Sequence, residues 1–465
     1  MTIYNPTKTY INNCCFNGIT SINSINLSYT PWVNNSMYNA FNGCSNLVEV
    51  LGINNSVTDM SYAFRLCSKL NDSPIIPNSI VNMSGTFQQS KLINAPVIPD
   101  SVTNMVNCFA SCYNLVECPN IPSSVTNMYM AFNWSWIPEL KTIPQSVVST
   151  TKGAYNMCQN CVKLNNVDFS QITNINAPYA FYSSFYMCNK LTDITFPNLT
   201  TIYTSFYNQG GGSECAGMFS NCFYLNSVNM CNLQQIISRD DSYAGTFTMS
   251  RMFAECRNLK SVDFSNLQTI GTNQHASYIF YRTFWNCYEL ETINFPKLNN
   301  INDGGWTFDT AFYYCYKMTS ANFPNLVHAD GYRMFNSAFD NCRALQSVDF
   351  SNLESINGET AFFRTFANCR ALTTYTFPKL KFIYNCYQGM CQCFENCVNL
   401  KTLYFPKLSP SSFGSNPDHS QFSYMLYGVN GCTVHFPANV KTTIQSWGDV
   451  VNGFNGTNTT ILYDL

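Results

Sequence analysis

The sequence predicts a β-rich (α/β) solenoid: a right-handed coil of about 14 repeats of 22–35 residues, with one parallel β-sheet and one short helical turn per coil. Three observations lead there. One phrase recurs along almost the whole chain, its second half alternates apolar and polar residues, and a Pro or Ser follows that alternation at a fixed place. A chain of 465 residues would ordinarily divide into several globular domains. Repetition at this period instead implies units that bury their apolar faces against one another.

The phrase is clearest in two copies, Phe253, Cys256, Leu259, Val262, Phe264, Leu267 and Phe339, Cys342, Leu345, Val348, Phe350, Leu353, which share the consensus F-x-x-C-x-x-L-x-x-V-x-F-[PS]-x-L. With the Cys as marker, coils lie at Cys44, Cys67, Cys112, Cys161, Cys188, Cys222, Cys256, Cys287, Cys315, Cys342, Cys369, Cys397 and Cys432. Ser90 and Ser135 fill the same place in two degenerate copies. Coils are short up to about residue 160 and longer after it.

Each element follows from its spacing. L-x-x-V-x-F has period two, as in a strand with one buried face. Pro296, Pro324, Pro378 and Pro406 sit where that strand should end, since proline cannot donate to a ladder. The preceding A/M-F-x-x-C-x-x-L spaces apolar residues by three, as one turn of α- or 3₁₀-helix would. Stacked in register, like residues form columns. Phe264, Phe295 and Phe350 belong to one, and Cys256, Cys287, Cys315, Cys342, Cys369 and Cys397 to another. These thiols are expected to be reduced, inward-pointing fillers, because a disulfide framework would pair the column two by two and the two Ser copies break it. Cys391 and Cys393 form the one local cluster, with Cys386 and Cys397; their role and that of Cys14 and Cys15 stay unassigned.

Composition excludes several functions. Charged residues are 11% of the chain, against about 25% in typical domains, and the formal net charge is −2. The surface must be Asn, Ser, Thr and Tyr, with no basic footprint for nucleic acid. No segment reaches the roughly 20 apolar residues of a membrane span, and the first residues lack the pattern of a secretory signal. The chain is thus expected to be made in a cytoplasm, and either to stay there or to leave by a route other than a cleaved signal. No metal is expected, since His275, His328, His419 and His435 have no ligand-like spacing with cysteines. No catalytic triad, paired carboxylate, P-loop or dinucleotide fingerprint occurs, so neither an enzyme nor a cofactor is expected.

The coils at 311–326 and 361–380 resemble the BspA-type leucine-rich repeat, and the V-T-N-M of 102–105 and 125–128 resembles its short surface-protein version. The resemblance covers roughly residues 37–437. It implies a leucine-rich-repeat solenoid used for adhesion and binding, with no catalytic residues. Residues 432–465 are similar to the terminal cap of such proteins in gut bacteria and their tailed phages. Together with the missing signal, this implies a virion protein such as a phage tail fibre or other host-recognition appendage. Its partners would be a host-surface protein or glycan and other virion proteins, in a homo-oligomer that by family analogy is a trimer. The alternatives are a bacterial or protist cell-surface adhesin and an intracellular protein-binding scaffold.

Three regions follow: an N-terminal cap or docking segment at 1–36 without the repeat phrase, the solenoid at 37–410, and a C-terminal cap at 411–465. The extra length of the later coils is expected in edge loops, where solenoids carry binding insertions. These loops hold Tyr203, Tyr207, Tyr243, His275, Tyr278, Trp306, Tyr332 and Tyr384, the candidate ligand-binding residues. Trp306 leads because Gly304 and Gly305 precede it. Two readings stand for these aromatics: a contact surface for carbohydrate or protein, or packing back onto the coils beneath.

Overall fold

A computed structural model describes residues 13–28, 31–204, 215–238, 247–271, 278–301, 305–384, 387–410, 419–446, 454 and 456–465. The chain forms two compact units, one of residues 1–198 with 218–222, the other of 199–217 with 223–465. Each is a stack of coils held by parallel pairing, so the chain has the parallel β-solenoid architecture of about 14 turns that the repeat predicts.

In the first unit, Ser24–Asn26 pairs in parallel with Glu49–Leu51, and Glu139–Leu140 with Asn166–Val167. Between them the coils carry only single bridges, such as Asp72 with Asn94 and Asn82 with Asn104. The predicted strand is missing there because a proline falls inside its span, at Pro74, Pro96 and Pro119, and removes a ladder donor. Asparagine takes over part of the work. Asn104 Nδ2 donates to Asn82 Oδ1 at 3.0 Å, and each of these Oδ1 atoms accepts the backbone N–H two residues on.

Residues 13–27 also form a coil, so the repeat begins earlier than its phrase announces. Phe16 stacks on Phe41 with centroids 5.0 Å apart, and Ile22 and Ile25 are buried where Leu and Val stand elsewhere. Ile19 in place of the marker Cys hides the phrase.

The second unit departs from one sheet per coil. Ser227–Asn229, Ser261–Asp263, Thr292–Asn294, Ser320–Asn322 and Ser347–Asp349 pair in parallel, as the period-two segment predicts. Beyond the Pro or Ser, the coils up to residue 384 add a second short strand at the L-x-x-I positions. Thr201–Thr204, Gln235–Ser238, Thr269–Ile270 and Asn300–Ile301 pair in one ladder, and His328–Asp330, Ser355–Asn357 and Phe382–Tyr384 in another. Part of the extra length assigned to edge loops, 328–330 for example, is therefore strand. At the C-terminal end Thr402–Tyr404, Thr433–His435 and Thr460–Leu462 continue the parallel pairing, and Lys441–Ser446 is a short α-helix.

The expected helical turn is not a helix. From Met37 to Cys44, tight turns close by Ala40 N–H to Met37 O (3.0 Å) and Cys44 N–H to Phe41 O (3.0 Å). The amides between them reach sideways, Asn39 to Ser61 O and Phe41 to Ala63 O, both 2.9 Å. This alternation needs left-handed residues four apart, as at Tyr278 (φ 62), Arg282 (φ 54) and Asn286 (φ 62). Spacing of three is common to both geometries, so the sequence alone read as helix. The position before the marker Cys is always left-handed, and Asn fills it at 160, 221, 286, 341, 368 and 396. Asn tolerates that region best after Gly, whereas other L-residues lose about 1–2 kcal/mol there. Leu66 occupies the same place at φ 60 and is 40% exposed. Leu66→Asn is therefore expected to stabilise the protein by several tenths to about 1 kcal/mol, read as a higher urea midpoint. A lower midpoint would contradict the assigned backbone conformation.

Inside the stack, rings lie over rings. Phe253, Phe284, Phe312, Phe339, Phe366 and Phe394 form one column with successive centroids 5.1–5.8 Å apart. In a second column Phe264 stacks on Phe295 at 5.3 Å and Phe323 on Phe350 at 5.4 Å. All are buried.

Candidate functional site

Two surfaces of the second unit combine chemistry with exposure. The first lies on the strand ladder. Because the central Val, Ile or Ala of each strand points inward, the flanking residues face out, and in this chain they are Ser or Thr on one side and Asn or Asp on the other. Register aligns Ser227 with Ser261 and Asn229 with Asp263, with Asn294 next in that row. They line a groove of about 650 Å³ together with Ser265, Thr292 and Pro296. Its polar heads are held in place: Asp263 Oδ1 accepts Ser265 N–H at 2.8 Å, Asn229 Oδ1 accepts Cys231 N–H at 2.9 Å, and Asn322 donates to Asn294. The groove offers hydroxyls and amides with a single carboxylate, a surface for hydrogen bonding rather than ion pairing. This groove was missed in the sequence. Its signal was present in the x of S-V-D-F and T-I-N-F, positions that core-directed reasoning passes over.

The second surface is the aromatic edge. Tyr278, Trp306 and Tyr332, three of the candidate residues, come together with Phe247 in one column. Successive centroids lie at 4.6, 4.7 and 4.5 Å. All four rings are half-buried. Tyr278 is stacked between Phe247 and Trp306, while Tyr332 lies tilted at 55° to Trp306, so these ring contacts hold the coils together. Tyr203 stands outside the column, on the strand Thr201–Thr204. Tyr207, Tyr243 and His275 lie outside the described residues, as does the Tyr384 side chain, whose backbone ends the strand Phe382–Tyr384.

Beneath this edge lie buried charges. Asp309 meets Arg333 Nε at 3.0 Å and accepts from Asn336 Nδ2 at 3.1 Å. Two coils on, Arg364 bridges Asp340 (3.1 Å) and Glu395, and Asn368 Nδ2 donates to Asp340 at 2.8 Å. Burial pushes the carboxyls of Asp309, Asp340 and Glu395 above their ordinary range, and the adjacent arginines oppose it. These groups are spoken for by one another and bind coil to coil.

The marker cysteines donate to backbone. Cys287 Sγ reaches Phe253 O at 3.1 Å, Cys315 reaches Phe284 O at 3.3 Å, Cys342 reaches Phe312 O at 3.1 Å and Cys369 reaches Phe339 O at 3.2 Å. Ser135 makes the same bond to Phe109 O, which explains how Ser substitutes there. Every described cysteine is a free thiol, and 19 of these 22 are buried. Burial raises Cys287 and Cys315 well above the ordinary thiol value, and pushes Cys391 up to about 11. Cys393 and Cys397 are buried as well. Labelling of the native protein at pH near 8 is accordingly expected to be confined, among the described thiols, to Cys14 and Cys231, with exposed Cys15 slower because its thiol is pushed up to about 11, while all 23 react in denaturant. Recovery of fewer than half in denaturant, from a sample kept from air, would establish disulfides instead.

Among the described residues, no three His, Cys, Asp or Glu side chains converge as a metal site would require, and no helix is long and apolar enough to cross a membrane.

A family model, described as the BspA type Leucine rich repeat region, matches this chain in six copies over residues 2–116, 106–246, 182–278, 216–389 and 308–442. Among solved structures, the chain is similar to a leucine-rich repeat protein from Bacteroides ovatus (17% identity, 99% of this chain and 91% of that one, TM-score 0.42). It is also similar to a leucine rich cell surface protein from Faecalibacterium prausnitzii (19%, 73% and 82%, TM-score 0.34) and to an internalin from Listeria monocytogenes (11%, 88% and 87%, TM-score 0.23). No curated protein matches the sequence.

Proposed function

Because this chain belongs to the BspA-type leucine-rich-repeat family, we propose that it is a non-enzymatic adhesive protein, displayed on an outer surface, that holds a protein partner against the polar strand face. The observation that carries this is the row of outward Ser, Thr, Asn and Asp side chains around Asn229, Asp263 and Asn294, uniform in chemistry over successive coils and pre-ordered by its own hydrogen bonds. Uncharged donors and acceptors fixed on a rigid sheet lose little entropy on binding. They recognise backbone amides and hydroxyls, where an ion-pairing surface would need charge. The half-buried aromatic edge contributes by stiffening the coils that carry the groove.

The virion placement and trimer implied by the sequence gain no support from the fold, and display on a cell surface fits it as well. Immunogold labelling of intact producing cells, compared with purified particles from the same culture, separates these locations. The binding reading itself is tested on an array of extracellular-matrix and cell-surface proteins. Asn229→Arg with Asn294→Arg places two bulky charges in the groove and is expected to lower retention of any captured protein at least about tenfold, or about 1.4 kcal/mol. Equal retention by this variant would exclude the groove, and capture of nothing by the parent protein would exclude the adhesive reading.

A further inference from the structure

The first unit carries a groove that neither the repeat pattern nor the polar strand face explains. It holds about 520 Å³ and is lined by Ile93, Tyr113, Asn114, Val116, Trp136 and Lys163 among others. Coil stacking ordinarily buries aromatics, yet here Trp136 is 39% and Tyr113 45% exposed. The two rings meet edge to face, 5.5 Å apart at 66°, and so form a corner. Lys163 Nζ stands 4.3 Å from the Trp136 ring centroid. Among the described residues that ammonium has no carboxylate within ion-pair distance, although the chain pairs Lys141, Lys317 and Lys381 with glutamates elsewhere.

We propose that this corner is a binding site for an acidic glycan, a pyranose carrying a carboxylate. A pyranose presents a C–H face that packs on an indole or phenol ring, and equatorial hydroxyls that need donors and acceptors in the ring plane. The groove supplies both, with aromatic and aliphatic walls and two exposed polar residues, Tyr113 and Asn114, among its lining. An apolar peptide would fill the walls but leave those polar groups without use. The ammonium of Lys163, pre-placed over one face of the indole, leaves the Tyr113 ring to take the sugar's C–H face and selects a negative substituent, because a charge-assisted hydrogen bond there is stronger than a neutral one. The volume lies within the range of about 300–1,000 Å³ typical of ligand sites. The site is independent of the strand-face groove, and either could fail without the other.

The test uses the full chain with three carboxylated probes, trigalacturonate, a hyaluronan tetrasaccharide and sialyllactose, each beside its methyl ester, with titration followed by calorimetry. At least one acid is expected to bind more tightly than its ester. Lys163→Gln, at an exposed position, is expected to weaken the acid about fivefold or more and leave the ester unchanged. Trp136→Ala is expected to weaken both about tenfold or more, with Trp136→Phe restoring most of the loss. No saturable binding of any of the three acids overturns the proposal. So does an acid-to-ester difference that survives Lys163→Gln. Binding of an aliphatic acidic peptide, acetyl-Leu-Glu-Leu-amide, in preference to every sugar would reassign the corner to a protein partner.

Discussion

Phe312→Ala is expected to cost about 3–5 kcal/mol of stability and to open the second unit locally. Phe312 is fully buried, with Phe284 at 5.4 Å on one face and Phe339 at 5.1 Å on the other. Truncation removes the transfer energy of the ring and leaves a cavity that a column of rings cannot close, since each ring is set by its own coil. Two aromatic contacts are lost as well, worth about 0.5–1.5 kcal/mol each beyond area burial. In a solenoid stability is a sum over neighbours. Hydrogen exchange should therefore accelerate first in the strands Thr292–Asn294, Ser320–Asn322 and Ser347–Asp349, which belong to the same and adjoining coils. Thr433–His435, four coils from Phe312, should keep its protection. Uniform loss of protection along the chain would show that the unit unfolds as one body, and a cost below about 1 kcal/mol would contradict the packing of the column.

Arg364→Met should be comparably damaging and, unlike the ring truncation, dependent on pH. Arg364 holds two nearly buried carboxylates, Asp340 and Glu395. Removing one partner of such a group costs about 3–5 kcal/mol because the remaining charges stay desolvated. Both carboxyls already stand above their ordinary values of 3.8 and 4.5, because burial outweighs their partners. A carboxyl raised in the folded state binds its proton more tightly there than in the unfolded chain. Its contribution is most favourable below the ordinary value and declines as pH climbs through the raised folded value. Without Arg364 both folded values rise further and that decline deepens. The stability difference between parent and variant is thus expected to be small below pH about 4 and to widen toward pH 7. Urea midpoints measured across that interval test it, and a difference independent of pH would show that Arg364 contributes packing alone. Asp340→Asn in the Arg364→Met background should recover part of the loss.

The repeat was legible because period and chemistry coincide. A thiol or Ser at one place, Leu three residues later and Phe five beyond that can only serve a stacked interior, and the buried Cys342, Leu345 and Phe350 follow from spacing alone. The aromatic edge was half legible. Tyr278, Trp306 and Tyr332 were found as a group by their place in the longer coils, but whether their faces or edges meet solvent depends on rings in adjoining coils. The polar groove was not legible as a site, because an outward Ser or Asn gains meaning only when register sets Asn229 beside Asp263. Nor was the corner of Tyr113 and Trp136. One follows a marker Cys and the other a marker Ser, and successive coils place them edge to face.

By itself, the sequence determined that this protein is a solenoid of about 14 coils with a Phe, Cys and Leu interior and a nearly uncharged surface. Burial of a repeated apolar pattern permits little else. Only the tertiary structure decided how the backbone between columns runs. Spacing of three suits a helix and a chain of left-handed turns equally, and the choice depends on amides that bond to the next coil instead of their own. It also decided where strands stop, as prolines in the short coils leave bridges while the long coils gain a second ladder. The surfaces on offer for binding were decided there too, since exposure belongs to a stack of coils and not to any one of them.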